Sequence, residues 1–188
     1  GEALRTAPIK GTRPRGADAA SDEALRRELE SSEKERAELV MAVDLHRNDL
    51  GRVARFGSVR VLGEARTLAS RTVMSRAREI VARRDLGGDL SRVVLAMLPA
   101  GSVTGAPKVR AMEIIAELEA ARRGLYTGAL GYVGRDGGLV LAMAIRTAVV
   151  SRRDRALEYF AGGGIVAGSD PRQETEETEW KARQLVGA

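Results

Sequence analysis

Two apolar runs around a glycine-rich turn constrain the fold of this chain more than any other feature of its sequence. The runs span residues 127–133 and 139–150, and the turn between them is Arg135-Asp136-Gly137-Gly138. Apolar runs on either side of such a turn are typical of a β-hairpin. A third apolar run, residues 156–161, leads into three consecutive glycines. Helical patterns lie between these strands, and the alternation favours an α+β fold over repeated βαβ units.

The remaining elements follow from capping and periodicity signals. We expect a short extended segment and a glycine- and proline-rich loop at the start of the chain, and a final helix capped by Asp170 with Pro171 at its first position. Between them the patterns predict a long helix over residues 21–47, a short strand over 57–62 and two helices over 66–83 and 88–97. A further helix is expected to begin at Pro107 and to end near Gly124.

Composition excludes several classes of protein. The chain has 188 residues, of which 44% are apolar, enough for a folded core. It has no cysteine, which excludes disulfides, thiolate metal sites and a cysteine nucleophile. Its net charge of +5 is spread evenly, and one Trp, three Tyr and two Phe are too few for a nucleic-acid stacking surface. No apolar stretch could span a bilayer and no signal peptide begins the chain, so we expect a soluble cytoplasmic protein whose N-terminal part is absent.

Lysine is scarce in this arginine-rich sequence. Of 31 basic residues only four are lysine, and these are Lys10, Lys34, Lys108 and Lys181. An amine can lose its proton and a guanidinium cannot, which favours a functional role where lysine has been kept. Lys34 lies in a charged helical run and needs no such role.

Carboxylates recur with helical spacing in two predicted helices. Glu35 and Glu38 are three residues apart, and Glu174, Glu177 and Lys181 share one face of the final helix. Two carboxylate pairs are suited to Mg²⁺, which prefers hard oxygen ligands. The alternative to a metal site is a solvent-exposed helix face on which Glu and Lys side chains pair.

Three further features are suited to binding an anion. The segment 101–108, Gly-Ser-Val-Thr-Gly-Ala-Pro-Lys, combines backbone N–H groups and the Thr104 hydroxyl with a helix start, although its spacing differs from that of a Walker A loop. The backbone of Gly162, Gly163 and Gly164 permits close approach of a ligand. Arg146 falls within an apolar run and is expected to meet a carboxylate of the protein or of a ligand. The alternatives are an ordinary helix entry for segment 101–108, an ordinary strand end for the three glycines, and a structural ion pair for Arg146.

The single histidine, His46, lies near the end of the first long helix. We expect a packing residue there, and we expect Asp44, Arg47, Asn48 and Asp49 to form a structural network that closes the helix.

Five segments together resemble the chorismate-utilising enzymes, a family that includes anthranilate, aminodeoxychorismate, isochorismate and salicylate synthases. They are Pro8–Gly16, Ala37–Arg52, Gly101–Glu113, Ala144–Thr147, and Gly162–Asp170 with Glu177 and Lys181. The resemblance covers nearly the whole chain and only the C-terminal part of the family's single catalytic domain. It implies antiparallel sheets flanked by helices and a Mg²⁺-dependent site for chorismate.

The resemblance also implies roles for individual residues. By position, Glu38 and Glu177 would hold Mg²⁺, with Glu35 and Glu174 as a second layer of carboxylates. Substrate carboxylates would be bound by the remaining matched residues, namely Thr104, Tyr126, Arg146, Gly162, Gly163 and Gly164, with Lys181 nearby. A dianionic substrate bridged through a metal ion explains why carboxylates and cations share one site.

Lys10 discriminates within the family. Anthranilate synthases usually carry Ala at this position, whereas aminodeoxychorismate synthases of this kind carry Lys, which attacks ring carbon 2 and leaves a covalent intermediate that ammonia resolves at carbon 4. The resemblance therefore implies aminodeoxychorismate synthase component I, on the route to 4-aminobenzoate and folate, with ammonia from a glutamine amidotransferase subunit or fused domain. The alternative functions are anthranilate synthase component I and a non-catalytic chorismate-binding remnant. The alternative role for Lys10 is a structural one, in which a loop lysine pairs with a surface acid.

The chain departs from the family at two positions. Ser75 stands where the family shows an active-site His, and Leu39 replaces an Asn or His next to Glu38. A hydroxyl cannot shuttle a proton near neutral pH as imidazole does. Three explanations compete: the protein is a catalytically impaired paralogue, it uses a different residue in place of the His, or the sequence has a local reading-frame error over roughly residues 63–84. The acid expected to protonate the leaving hydroxyl would precede Gly1.

Overall fold

The computed structural model describes residues 2–85, 87 and 89–186, and for residues 180 and 183–186 it describes the backbone alone. The chain divides into two compact units, Gly1–Met97 and Leu98–Ala188. Each contains helices and antiparallel sheets, which confirms the α+β prediction. The expectation of one catalytic domain stays a prediction. No helix among the described residues is long and apolar enough to cross a membrane.

The first unit places helices beside two three-stranded antiparallel sheets, ordered β1-β6-β3 and β2-β5-β4. Leu39, Val43, Leu50, Ile80 and Ala82 form a buried cluster between α2 and β6. The elements in chain order are β1 (Ala3–Thr6), β2 (Ile9–Pro14), α1 (Ala19–Ser31), α2 (Glu33–Gly51), β3 (Arg60–Val61), β4 (Arg66–Ala69), β5 (Val73–Ala77), β6 (Ile80–Arg83) and α3 (Leu90–Met97).

The described part of the second unit carries two antiparallel strand pairs, β7-β8 and β10-β9, and three helices. Its elements are α4 (Gly101–Thr104), α5 (Lys108–Leu118), β7 (Ala129–Val133), β8 (Leu139–Met143), β9 (Ala148–Ser151), β10 (Ala156–Tyr159) and α6 (Pro171–Val186). The predicted hairpin and the predicted Asp170 cap are both present: β7 pairs with β8, and the Asp170 carboxylate accepts a hydrogen bond from the Gln173 backbone N–H at 2.9 Å.

The predicted helix over residues 66–83 is wrong, because this segment forms β4, β5 and β6. The buried side chains of Met74, Ala77 and Ile80 are spaced three apart, which imitates one face of a helix. They belong instead to two strands of different sheets, joined by residues 78–79. A spacing of three across such a short connection imitates helical periodicity in the sequence.

Three other boundaries differ from the prediction. The long first helix is two helices, broken at Ser32, whose N–H donates to the Glu28 carbonyl and whose hydroxyl accepts from the Glu35 N–H. The apolar run 139–150 divides into β8 and β9, and β9 pairs with β10. The predicted loop before Pro107 contains the one-turn helix α4, and Pro107 precedes α5.

Candidate functional site

Lys10 lies on β2, opposite Arg76 of β5, and is half-buried. The next residue, Gly11, has φ +68° and forms a bulge that shifts the strand register. The Glu35 carboxylate packs against this bulge, since a methyl group built on Gly11 would lie 3.0 Å from Glu35 Oε2. The structure therefore brings the predicted nucleophile and one predicted metal-site carboxylate to the same edge of the first unit. The described residues show no acid paired with the Lys10 amine.

Glu35 is held by an arginine on the same strand as Lys10. The Arg13 guanidinium donates to Glu28 at 2.9 Å and to Glu35 at 3.3 Å, and the Glu35 side chain is 17% exposed. Glu38 lies one turn further along α2 and is half-buried. The two carboxylates predicted from the i, i+3 spacing thus share a helix face, with Glu35 already neutralised by a cation.

Ser75 lies on the opposite face of its sheet from Lys10. Directly paired residues in an antiparallel sheet share a face, and successive residues alternate. Lys10 pairs with Arg76, whereas Ser75 pairs with Thr12, whose hydroxyl lies 3.4 Å from the Ser75 hydroxyl. The register therefore places the side chains of Ser75 and Lys10 on opposite faces of this sheet.

In the second unit, Gly162 and Gly163 lie at the centre of a polar cluster. The Lys181 amine donates to the Gly162 carbonyl at 2.9 Å and pairs with Glu177 at 2.8 Å. A methyl group built on Gly162 would lie 2.7 Å from the Tyr126 hydroxyl, and one built on Gly163 would lie 2.8 Å from Glu174 Oε2. Glu174 also accepts a hydrogen bond from the Ser169 hydroxyl.

The cluster contains residues that the resemblance assigned to one site: Tyr126, Gly162, Gly163, Glu174, Glu177 and Lys181. Gly164 follows them in the chain, and no atom lies within 4 Å of the place that a methyl group on it would occupy. Its close approaches are possible because glycines present no side chain at the contact. An amine, a phenol and backbone N–H groups beside two carboxylates provide both donors for an anion and ligands for a cation.

Sequence reasoning missed the residues that hold Tyr126. The Arg123 guanidinium binds both oxygens of Glu119 at 2.9 and 2.7 Å and lies 5.5 Å from the centre of the Tyr126 ring. Phe160 stacks on the same ring, with centroids 5.6 Å apart. Burial raises the pKa of Tyr126 above its usual value, and the nearby Arg123 charge partly opposes this. The only sign of this ion pair in the sequence is the i, i+4 spacing of Glu119 and Arg123.

Arg146 corrects the expectation of a charge within a strand. Strand β8 ends at Met143, and Arg146 lies in the connection to β9 with φ +50° and an exposed side chain. Exposure removes the desolvation cost from which a carboxylate partner of the protein or of a ligand was expected, and no protein carboxylate pairs with Arg146 in the described part of the chain. Thr104 ends α4, and its hydroxyl donates to the Ala100 carbonyl at 3.2 Å, which leaves its lone pairs as acceptors. Substrate binding by both residues stays a prediction.

His46 is a packing residue, as expected. It is 8% exposed, and its Nδ1 lies 2.8 Å from the Thr6 hydroxyl. Asp49 is buried in the same helix end, while the Arg47–Asp44 pair at 2.9 Å is on the surface. The predicted network is therefore divided between a buried part and an exposed ion pair.

The donor chemistry of each unit fits Mg²⁺, with two carboxylates on α2 and two on α6. Hard carboxylate oxygens are the ligands this ion prefers, although Glu35 already pairs with Arg13 and Glu177 with Lys181. Within either described unit, no three His, Asp or Glu side chains are grouped closely enough to hold a metal. Glu38 and Glu177 as ligands stay a prediction.

A class of enzymes shares both this fold and these sequence segments. The model of the family described as chorismate binding enzyme matches residues 1–187. The chain therefore belongs to the chorismate binding enzyme family, which confirms the resemblance.

Similar proteins carry different activity names. The chain is 50% identical over its whole length to anthranilate synthase component 1 of Streptomyces coelicolor. It is 46% identical over 97% of its length to aminodeoxychorismate synthase component 1 of Bacillus subtilis. Among solved structures, anthranilate synthase component I of Streptococcus pneumoniae aligns over 98% of the chain with a TM-score of 0.83 and 39% identity.

The chain spans little more than a third of these relatives. It covers 36% of the Streptomyces protein, 38% of the Bacillus protein and 40% of the Streptococcus chain. Because most of each relative lies outside the matched region, the activity of the whole protein is addressed below as a proposal.

Proposed function

We propose that the protein to which this chain belongs is a component I enzyme that aminates chorismate at carbon 4 to give aminodeoxychorismate. The single observation that carries the proposal is Lys10, placed on β2 within a segment that otherwise matches the family. An amine at this position supplies a nucleophile that the alanine of anthranilate synthases cannot.

The reaction balances as two displacements. The Lys10 amine, in its neutral form, forms a bond to ring carbon 2, both conjugated ring double bonds shift by one position, and the carbon 4 hydroxyl leaves as water after protonation. Ammonia then forms a bond to carbon 4, both double bonds shift back, and the bond between carbon 2 and Lys10 breaks. No electrons are gained or lost overall, and each released proton passes to solvent or to an adjacent base.

The geometry supports this proposal in two places. In the first unit, Lys10 adjoins the bulge against which Glu35 packs. In the second, the Lys181 amine, the Tyr126 phenol and the glycine backbone provide the donors that a dicarboxylate requires. Mg²⁺, if bound by Glu38 and Glu177, would neutralise substrate carboxylate charge.

Anthranilate synthase component I is the second candidate, and the names of several similar proteins favour it. The chain is 50% identical to enzymes of this name from both Streptomyces coelicolor and Aquifex aeolicus. Overall identity measures shared ancestry, whereas the product depends on the few atoms that touch the ring. Both candidates imply chorismate as substrate and an amidotransferase as the ammonia source.

The test uses the full-length protein with chorismate, Mg²⁺ and ammonium, with products separated by chromatography and identified by mass. Aminodeoxychorismate from the wild-type protein, and its loss in Lys10→Ala, are the expected results. Lys34→Ala is the matched control, because Lys34 is an exposed lysine on α2.

Other outcomes identify the alternatives. Anthranilate from the wild type and from Lys10→Ala alike would support the second candidate. Unchanged chorismate would contradict both enzymatic proposals and favour a chorismate-binding remnant. Replacing ammonium by glutamine should restore product only when an amidotransferase is added or fused.

A further inference from the structure

Arg123 is the centre of a chain of contacts in the second unit. Its Nε and Nη2 donate to the two oxygens of Glu119, and its Nη1 donates to the Thr127 hydroxyl at 3.2 Å. Its guanidinium carbon lies 5.5 Å from the centre of the Tyr126 ring. Arg123 therefore binds residues on both sides of Tyr126 in the sequence while contacting the ring itself.

The Tyr126 ring is fixed on a second side by Phe160. The two rings are nearly parallel, at 16°, with centroids 5.6 Å apart. Phe160 stands two residues before Gly162, beside which the Tyr126 hydroxyl lies. The ring and the glycine segment are therefore tied together by one stacking contact and one close backbone approach.

We propose that Arg123, held by Glu119, is a positioning residue that fixes the Tyr126 hydroxyl beside Gly162, where the phenol donates a hydrogen bond to a substrate carboxylate. This inference rests on the proposed chorismate chemistry for its ligand. The positioning itself rests on contacts within one unit.

Arginine is suited to this task in a way that lysine is not. A planar guanidinium can bind a carboxylate with two parallel N–H groups, donate a third hydrogen bond and lie near an aromatic ring at the same time. A lysine at position 123 would keep the charge and lose the bidentate geometry. The pKa of Glu119 is lowered by its hydrogen bonds to Arg123, so the pair stays ionised at neutral pH.

The protonation state of Tyr126 agrees with a donor role. Because burial raises the pKa of Tyr126, the hydroxyl keeps its proton throughout the neutral range. A protonated phenol can donate to a carboxylate, whereas a phenolate would repel it. The Arg123 charge opposes the shift, and this gives the contact a signature that can be measured without substrate.

The kinetic test compares Arg123→Lys with Arg122→Lys in the full-length protein. Arg122 is the adjacent exposed arginine and serves as the matched control. We expect Arg123→Lys to raise KM for chorismate about tenfold, equivalent to about 1.4 kcal/mol, with a smaller change in kcat. In a Tyr126→Phe background the same change should add little, because the hydroxyl that it positions is gone.

Equal KM values for the two lysine variants, or an undiminished effect of Arg123→Lys in the Tyr126→Phe background, would overturn the inference. The product made by the wild type tests the proposed function separately, since either chorismate product is compatible with this role for Arg123.

A second measurement needs no substrate. In the full-length protein, the difference in tyrosinate absorbance between a variant and its Tyr126→Phe counterpart reports the ionisation of Tyr126 alone. Arg123→Met removes the charge and keeps most of the aliphatic volume, so we expect the pKa of Tyr126 to rise further. An unchanged ionisation midpoint would refute the contact between the two side chains, whatever the enzyme's substrate.

Discussion

Gly11→Ala is the substitution whose cost the structure defines most completely. Gly11 has φ +68°, and a methyl group there would lie 2.8 Å from Leu29 Cδ1 and 3.0 Å from Glu35 Oε2. Leu29 is fully buried and cannot swing away, whereas the Glu35 carboxylate can move by a few tenths of an ångström. The left-handed backbone costs an alanine about 1 kcal/mol, and overpacking against a buried leucine adds about 1–3 kcal/mol.

Gly57→Ala provides a matched control, because Gly57 has φ +73° and no atom lies within 4 Å of the place that an added methyl group would occupy. We therefore expect the free energy of unfolding to fall by about 1 kcal/mol in Gly57→Ala and by about 2–4 kcal/mol in Gly11→Ala. Urea denaturation of the full-length protein, followed by circular dichroism, measures both losses. Equal losses would refute the close packing of α1 and α2 against the bulge beside Lys10.

Two further predictions concern the first unit. The hydrogen bond from Arg15 lowers the pKa of Asp22 to about 2, so the stability that this pair contributes is complete above about pH 4 and is lost as the pH falls toward 2. Asp22→Asn should therefore flatten this part of the stability–pH profile measured by thermal melting. An unchanged profile would contradict the pairing. Ser75→His should not raise product formation in the full-length protein, because the register directs position 75 away from Lys10; a gain in turnover would show that the register argument is wrong.

The predictable part of the fold was set by local chemistry. The turn at 135–138 and the Asp170 cap each depend on residues within a few positions of one another, and the structure contains both. The helix predicted over 66–83 failed because burial of Met74, Ala77 and Ile80 depends on which strands pair, and pairing is a long-range property. Arg146 was misplaced for the same reason, since apolar composition did not reveal where β8 ends.

The candidate site shows a similar division. Helical spacing was sufficient to predict that Glu35 and Glu38 share a face, and likewise Glu174, Glu177 and Lys181. The contact between Tyr126 and Gly162 joins residues far apart in sequence, and only the resemblance connected them beforehand. Arg123 was missed because its role depends on three partners at once: a carboxylate four residues away, a hydroxyl and an aromatic ring.

The arginines of the segment around Ser75 have a structural explanation that the sequence alone did not suggest. Arg76 donates to the carbonyls of Glu30 and Ala65, and Arg78 donates twice to the carbonyl of Gly63. These bonds tie β5 and the following turn to α1 and to the segment before β4, and so support the strand that pairs with Lys10. A charge-dense stretch is thus compatible with a sheet, because its guanidinium groups donate hydrogen bonds to backbone carbonyls outside the strand. Ser75 then lies on one face of this sheet, and Lys10 lies on the other.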